Sequence, residues 1–321
     1  MNAKTARQII EMKSQTFGVE IEMNNIMRSK AAEIAAAFFG TGRYADTHYS
    51  NGYCTWSAWD GQGREWKFSK DVSISGPDAE KCELVTPILT YTDLATLQEL
   101  VRQLRHAGAK SNASRGCGVH IHIGAQDHNE KTLRNLANIM ASHEKLLKDA
   151  LMLDRGRVLR YCRLVEPEFV NRINSRKPKN MAELADAWYE ENGGNYGRND
   201  HYNNSRYHML NLHATFTKGT VEFRLFQFDN PGTTRDGKRY YGGLHAGQLK
   251  SYIQLCLALS QMAKDVKSAS PKEVQRVNPK FAMRTWLNRL GMIGDEFAIA
   301  RDILTRNLEG DAAFRFGRPA A

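Results

Sequence analysis

Phe17-Gly18-Val19-Glu20-Ile21-Glu22-Met23 alternates apolar and acidic side chains without a break. A period of two belongs to a β-strand, so Phe17, Val19, Ile21 and Met23 go to one face while Glu20 and Glu22 go to the other. Cys117 to Gly124 repeats the plan with His120 and His122 in place of the acids. Thr220 to Phe226 repeats it again, setting Glu222 and Arg224 opposite Val221, Phe223 and Leu225.

Between these strands lie segments with one apolar stripe each. Ser29–Phe39, with Ser29 as N-cap, and Thr92–Ala107 both read as amphipathic helices, and a longer one runs from Glu130 to about Leu153. Trp66–Phe68 and Cys82–Pro87 read as further strands, and residues 40–64 as loop with short strands. Tyr207–Phe216 is expected to form a hairpin with Thr220–Phe226 across Thr217-Lys218-Gly219, and helices are expected at 243–264, 271–277 and 280–308. Helices covering the apolar face of such strands give an α+β architecture, an antiparallel sheet whose other face is a polar floor. The polar stretch 192–206 has little to bury and reads as a surface loop.

Composition limits what this floor serves. The 321 residues hold 45 Lys and Arg against 35 Asp and Glu, a net charge of +10, and 41% hydrophobic residues, which excludes wholesale disorder. No run reaches the ~18 apolar residues of a membrane span, and the N-terminal stretch is charged where a secretory signal is hydrophobic, so a cytoplasmic protein is expected. Five scattered cysteines without a CxxC pair read as reduced, mostly buried thiols. The positive excess is compatible with a nucleic acid, an anionic surface or a nucleotide.

Glu20, Glu22, Glu83, His120, His122 and Glu222 are oxygen and imidazole donors of the kind that hold a divalent cation. Four carboxylates against two histidines favour a hard ion, Mg2+ or Mn2+, over Zn2+. So many acids repel one another unless cations intervene, which makes two or more ions with a polyphosphate the natural partners, and Arg224 and Lys67 are cations suited to a transferring phosphate. Each motif alone also fits a solvated strand face or a cross-strand ion pair; the reading rests on their occurring together.

In order, FGVEIEM, WKFSKDVSISGPDAEKCELVTPIL, GCGVHIHIG and RYHMLNLHATFTKGTVEFRLF resemble the amidoligase family, related to glutamine synthetase and glutamate-cysteine ligase, over about residues 16–260. The resemblance implies a curved glutamine-synthetase-like catalytic sheet within residues 1–265, helices behind it and the active site on the open face, with 266–321 a helical extension. It also implies ATP-dependent joining of a carboxylate to an amine through an acyl phosphate, releasing ADP and phosphate. Metal ligation then falls to Glu20, Glu22, Glu83, His120 and Glu222, and nucleotide or phosphate contacts to His122, Lys67, Asn211 and Arg224. Arg224, Glu222 and Lys67 become the catalytic candidates, Asp71 sits in an Asp-x-Ser turn, and the 192–206 loop with Arg198 and Arg206 is placed to close over substrate. The implied substrates are an amino acid, peptide or tag carboxylate and an amine. A metal-dependent hydrolase or phosphotransferase and a non-catalytic nucleic-acid-binding protein are the rival readings. The latter leaves the clustered acids without a purpose.

Overall fold

The alternation of residues 17–23 becomes strand β1 (Phe17–Met23) in the computed structural model, with Val19, Ile21 and Met23 sealed in the core. The structure describes residues 3–47, 52–190, 197–200, 202–229, 232–233, 237, 239–240, 243–274 and 277–316. In chain order the remaining elements are helix α1 (Ala3–Ser14), α2 (Arg28–Phe38), strands β2 (Tyr44–Asp46), β3 (Trp56–Trp59), β4 (Glu65–Ser69) and β5 (Cys82–Val85), and α3 (Leu94–His106). There follow β6 (Val119–Gly124), α4 (Glu130–Ala150), α5 (Arg155–Arg160), α6 (Pro167–Arg176), α7 (Met181–Tyr189), β7 (Leu210–Asn211), α8 (His213–Lys218) and β8 (Thr220–Phe226). A short pair, β9 (Gly232–Thr233) and β10 (Arg239–Tyr240), precedes α9 (Ala246–Asp265), α10 (Pro279–Arg289) and α11 (Ala298–Thr305).

The chain forms two compact units, each drawn from separated stretches. One comprises Thr16–Ile121 with Phe226–Tyr252 and carries strands in the order β2-β3-β4-β5-β1-β6. The registered pairs from β2 to β1 are antiparallel, and the row Ile21–Leu84–Phe68–Trp56 runs through the core-facing side. Four alanines of α2, at 31, 32, 35 and 36, are completely buried, so the helix lies close on this apolar face, and the Leu97, Leu100, Val101 and Leu104 stripe of α3 is buried with it. Rings close the packing, with Phe39 5.0 Å from Trp66 and Phe226 stacked 4.5 Å from Tyr252. The architecture is therefore α+β, helices on antiparallel strands.

The other unit comprises Met1–Gln15, His122–Leu225 and Ile253–Ala321. Its strands are the end of β6, then β8 and β7, the last two antiparallel with Asn211 opposite Glu222. Helix α4 is its spine: Leu133, Leu136, Met140 and Leu147 are buried, His143 stacks 3.8 Å from Trp286 of α10, and Asn307 donates to the Ala150 carbonyl beyond α11.

Several local expectations are corrected. The hairpin at 207–226 has a helix in its first arm: only Leu210–Asn211 is strand, and α8 ends at Gly219, whose φ of +69° supplies a left-handed cap instead of a two-strand turn. Ser29 does not cap α2, which begins one residue earlier behind Met27, where the Arg28 guanidinium donates to the carbonyls of Cys54, Asp78 and Lys81. The helix expected at 271–277 is absent from 271–274 and 277, since the Val274 amide bonds the Ser142 carbonyl; 275 and 276 lie outside the described residues. Left-handed Gly291 and Gly294 divide the 280–308 helix in two. Helices α1 and α7 were not foreseen.

Among the described residues no helix is long and apolar enough to cross a membrane. All five cysteines are free, and Cys82, Cys117, Cys162 and Cys256 are buried.

Candidate active site

Because opposed residues of an antiparallel pair share a face, register alone aligns the acids of the first unit. Glu22 of β1 stands opposite Glu83 of β5, and Glu83 opposite Ser69 of β4; Glu20 stands opposite Val85, and Val85 opposite Lys67. His120 of β6 completes the group, its Nδ1 3.0 Å from Glu20 Oε2 and its Nε2 3.8 Å from Glu22 Oε1. A carboxylate accepts, so Nδ1 is the donor toward Glu20. Glu22 Oε2 in turn accepts from the Gly118 amide at 2.5 Å, which fixes its rotamer.

Asp71 enters from the turn after β4. Its Oδ1 accepts from the Ser73 amide at 2.6 Å, and the Ser75 amide donates to the Arg115 carbonyl at 2.8 Å. Gly116, at φ +88°, permits this contact: a Cβ there would lie 2.6 Å from the Ser73 carbonyl oxygen. The result is two overlapping donor sets, Glu20–Glu83–His120 and Glu22–Asp71–Glu83, the ligand atoms of each lying within 4.8 Å of one another. Glu83 belongs to both. Two like charges 4 Å apart repel by about 4 kcal/mol at an effective dielectric near 20, a repulsion that a bound cation would relieve. Hard carboxylate oxygens with one imidazole fit Mg2+ or Mn2+.

Lys67 shares this face but points into solvent, its ammonium half exposed and 3.6 Å from Glu65. Val85 separates it from Glu20 in the register row. Sequence reasoning had named Asp71 only for its turn; the signal that it joins Glu22 and Glu83 lies in the chain reversal, which alternation does not report.

The second unit arranges its predicted residues differently. Glu222 and Arg224, both buried on β8, form an ion pair with Arg224 Nη1 2.5 Å from Glu222 Oε1. Asn211 Nδ2 donates to the other oxygen at 2.6 Å. His122 stands 3.8 Å from Glu222 through Nε2, while its Nδ1 meets the Thr220 hydroxyl at 2.8 Å. The Arg224 guanidinium lies 5.8 Å from the Tyr207 ring centroid and reaches the Tyr161 carbonyl at 3.5 Å. Buried Arg157 supports it from behind, Nη2 donating to the Arg224 carbonyl at 3.3 Å. The arginines of residues 155–176 read in sequence as a solvated or phosphate-facing surface; the burial of Arg157 against the Arg224 carbonyl is a tertiary fact.

Of the 192–206 loop, residues 192–196 and 201 lie outside the described residues. Arg198 donates to Asp186 at 2.8 Å and covers the Tyr189 ring at 4.9 Å, and Arg206 lies between the rings of Tyr202 and Tyr207.

No curated protein matches this sequence. Among solved structures the chain is similar to a bifunctional glutathione synthetase from Pasteurella multocida, 14% identical, with a TM-score of 0.39 over 96% of this chain and 49% of that one. It thus spans about half the length of the structure it matches. The family model described as "Putative amidoligase enzyme" matches residues 13–260. Most of the sequence lies within that match, and the chain belongs to this amidoligase family.

Proposed function

We propose that the protein is an ATP-dependent carboxylate-amine ligase with a glutamine-synthetase-like catalytic sheet. A donor carboxylate oxygen attacks the γ-phosphorus and ADP leaves; an amine nitrogen then attacks the acyl carbon, phosphate leaves, and the nitrogen sheds a proton to give the amide. The observation that carries this reading is the pair of donor sets meeting at Glu83. Mg2+ or Mn2+ held there supplies charge neutralisation for a polyphosphate, the chemistry that phosphoryl transfer requires.

The chain's own residues divide the remaining work. Glu20, Glu22, Asp71, Glu83 and His120 hold and orient the cations, and the Gly118 amide keeps Glu22 from rotating away. Arg224 meets the negative charge of the transferring phosphoryl group or the reacting carboxylate, preorganised by Glu222, Tyr207 and Tyr161. His122 and Asn211 contribute nucleotide contacts, and the 192–206 segment excludes water from the acyl phosphate. Lys67 is retained as a phosphate partner at the margin.

The test uses an 18O-labelled donor. Amino acids and short peptides are screened pairwise with ATP and Mg2+, reading ADP and the isotope content of released phosphate. A ligase forms ADP only when carboxylate and amine are both present and transfers one 18O from carboxylate to phosphate, and Glu20→Ala abolishes both. ADP released without an amine, with no isotope transfer, would establish the hydrolase or phosphotransferase instead.

A further inference from the structure

Helix α10 opens at Asn278, whose Oδ1 accepts from the Phe281 amide at 3.0 Å. The Nδ2 of the same side chain reaches the carbonyls of Asp311, Phe314 and Arg315, so the residue that caps the helix also ties the 311–316 segment beside it. Together with His143 of α4, in the same compact unit, these two pieces border a cavity of about 300 Å³. That volume is at the small end of ligand pockets and suits a single ring with a short side chain.

The wall is positive and aromatic at once. Arg289 and Arg315 both line it, and among the described residues neither guanidinium has a carboxylate partner. No described residue of the lining is acidic. Burial, with the charge of Arg289 adding to it, lowers the His143 imidazole to about 4, so at neutral pH the two guanidiniums are the charged groups of this wall. Its mouth is apolar: Phe316 and Val277, 88% and 84% exposed, are the most exposed large apolar side chains among the described residues, and both border this cavity. Phe281 and Trp286 continue the apolar lining inward, Trp286 being buried against the His143 ring. Exposed apolar surface gathered at one concavity marks a place where something binds.

We infer that this cavity binds a small aromatic carboxylate of about arylacetate size, its carboxylate meeting Arg289 and Arg315 and its ring covering Phe281 and Phe316. The match has three parts: a carboxylate accepts the paired hydrogen bonds that a guanidinium donates, its charge offsets two like charges on one wall, and the ring takes apolar surface out of water. A neutral amide of the same shape keeps the ring without the charge, and acetate keeps the charge without the ring. Both are expected to bind poorly.

The test is calorimetric or NMR titration of the full chain with sodium phenylacetate, with phenylacetamide and sodium acetate as controls. Saturable phenylacetate binding is expected, at least about 10-fold tighter than either control and weakened at least about 10-fold by Arg289→Gln combined with Arg315→Gln. Arg7→Gln combined with Arg102→Gln removes the same charge from exposed helical ion pairs and is expected to leave binding unchanged. Arg289 and Arg315 are themselves exposed, so their replacement keeps the fold. Should that double variant unfold, Thr285→Trp in the wall, which leaves both arginines in place, is expected to block binding by filling the cavity. No saturable binding to the unmodified chain, equal binding of phenylacetamide or acetate, equal loss in the Arg7 and Arg102 variant, or binding indifferent to Thr285→Trp would overturn the proposal.

Discussion

Strands β1 and β8 carry the same alternation with one change of charge, Glu-x-Glu in the first and Glu-x-Arg in the second, and the outcomes are opposite. Around β1, Glu20, Glu22, Asp71 and Glu83 gather with His120 in donor sets that could hold a cation. On β8, Glu222 spends both oxygens internally, one on Arg224 and one on Asn211. Glu83, by contrast, is shared by two donor sets, Glu20–Glu83–His120 and Glu22–Asp71–Glu83.

The largest effect should come from breaking the β8 pair. Arg224→Met removes the guanidinium paired with buried Glu222 and is expected to cost about 3–5 kcal/mol of stability in urea unfolding at pH 7. Adding Glu222→Gln to that variant should recover most of the loss. A single-variant cost below about 1 kcal/mol would mean that Glu222 is not held as a buried ion pair, and the contrast between the strands would fail.

Glu144 supplies a third fate for a buried acid, neither paired nor clustered. Its carboxyl is pushed up to about 7 by burial, above the unfolded value near 4.5. The folded state therefore binds the proton more tightly, and the group's contribution is fully present below about pH 4.5 and lost as pH rises through 7. The difference integrates to about 3 kcal/mol. Between pH 5 and 8 the unmodified chain should lose up to that much stability relative to Glu144→Gln; parallel pH profiles would show that the carboxyl is not buried unpaired.

On the β1 side, Mn2+ titration followed by electron paramagnetic resonance needs no substrate. Glu83→Gln should weaken both cation sites by at least about 10–100-fold. Glu20→Gln and Asp71→Asn should each weaken one site and spare the other. Equal effects of all three would indicate a single site and remove Glu83 from its bridging position.

Much of this was legible because strand alternation assigns faces unambiguously: Glu20, Glu22, His120, Glu222 and Arg224 all came from it, as did the α+β layering. What alternation cannot give is the partner across the sheet. Lys67 shares the acids' face yet turns to Glu65, because register places Val85 between it and Glu20. Asp71, Arg157 and Glu144 sit in a turn, a short helix and a helix interior, where no period marks a site and only tertiary packing reveals them. The hairpin failed at Gly219 for a related reason, since a left-handed glycine ends a helix as readily as it turns two strands.

The smallest effect concerns how Asp71 is held. Gly116 adopts φ +88° against the Ser73 carbonyl, and an added Cβ would lie 2.6 Å from that oxygen. Gly116→Ala must therefore accept left-handed strain and push the 71–75 turn outward, at about 1–2 kcal/mol. Because the turn carries Asp71 while Glu20 and His120 sit on strands, the displacement should fall on one donor set alone. Urea unfolding should show the modest loss, and Mn2+ titration should show the Glu22–Asp71–Glu83 site weakened several-fold beside an unchanged Glu20–Glu83–His120 site. If both sites weaken together, the two sets are mechanically one, and the acids of β1 are positioned by the turn as much as by the strand.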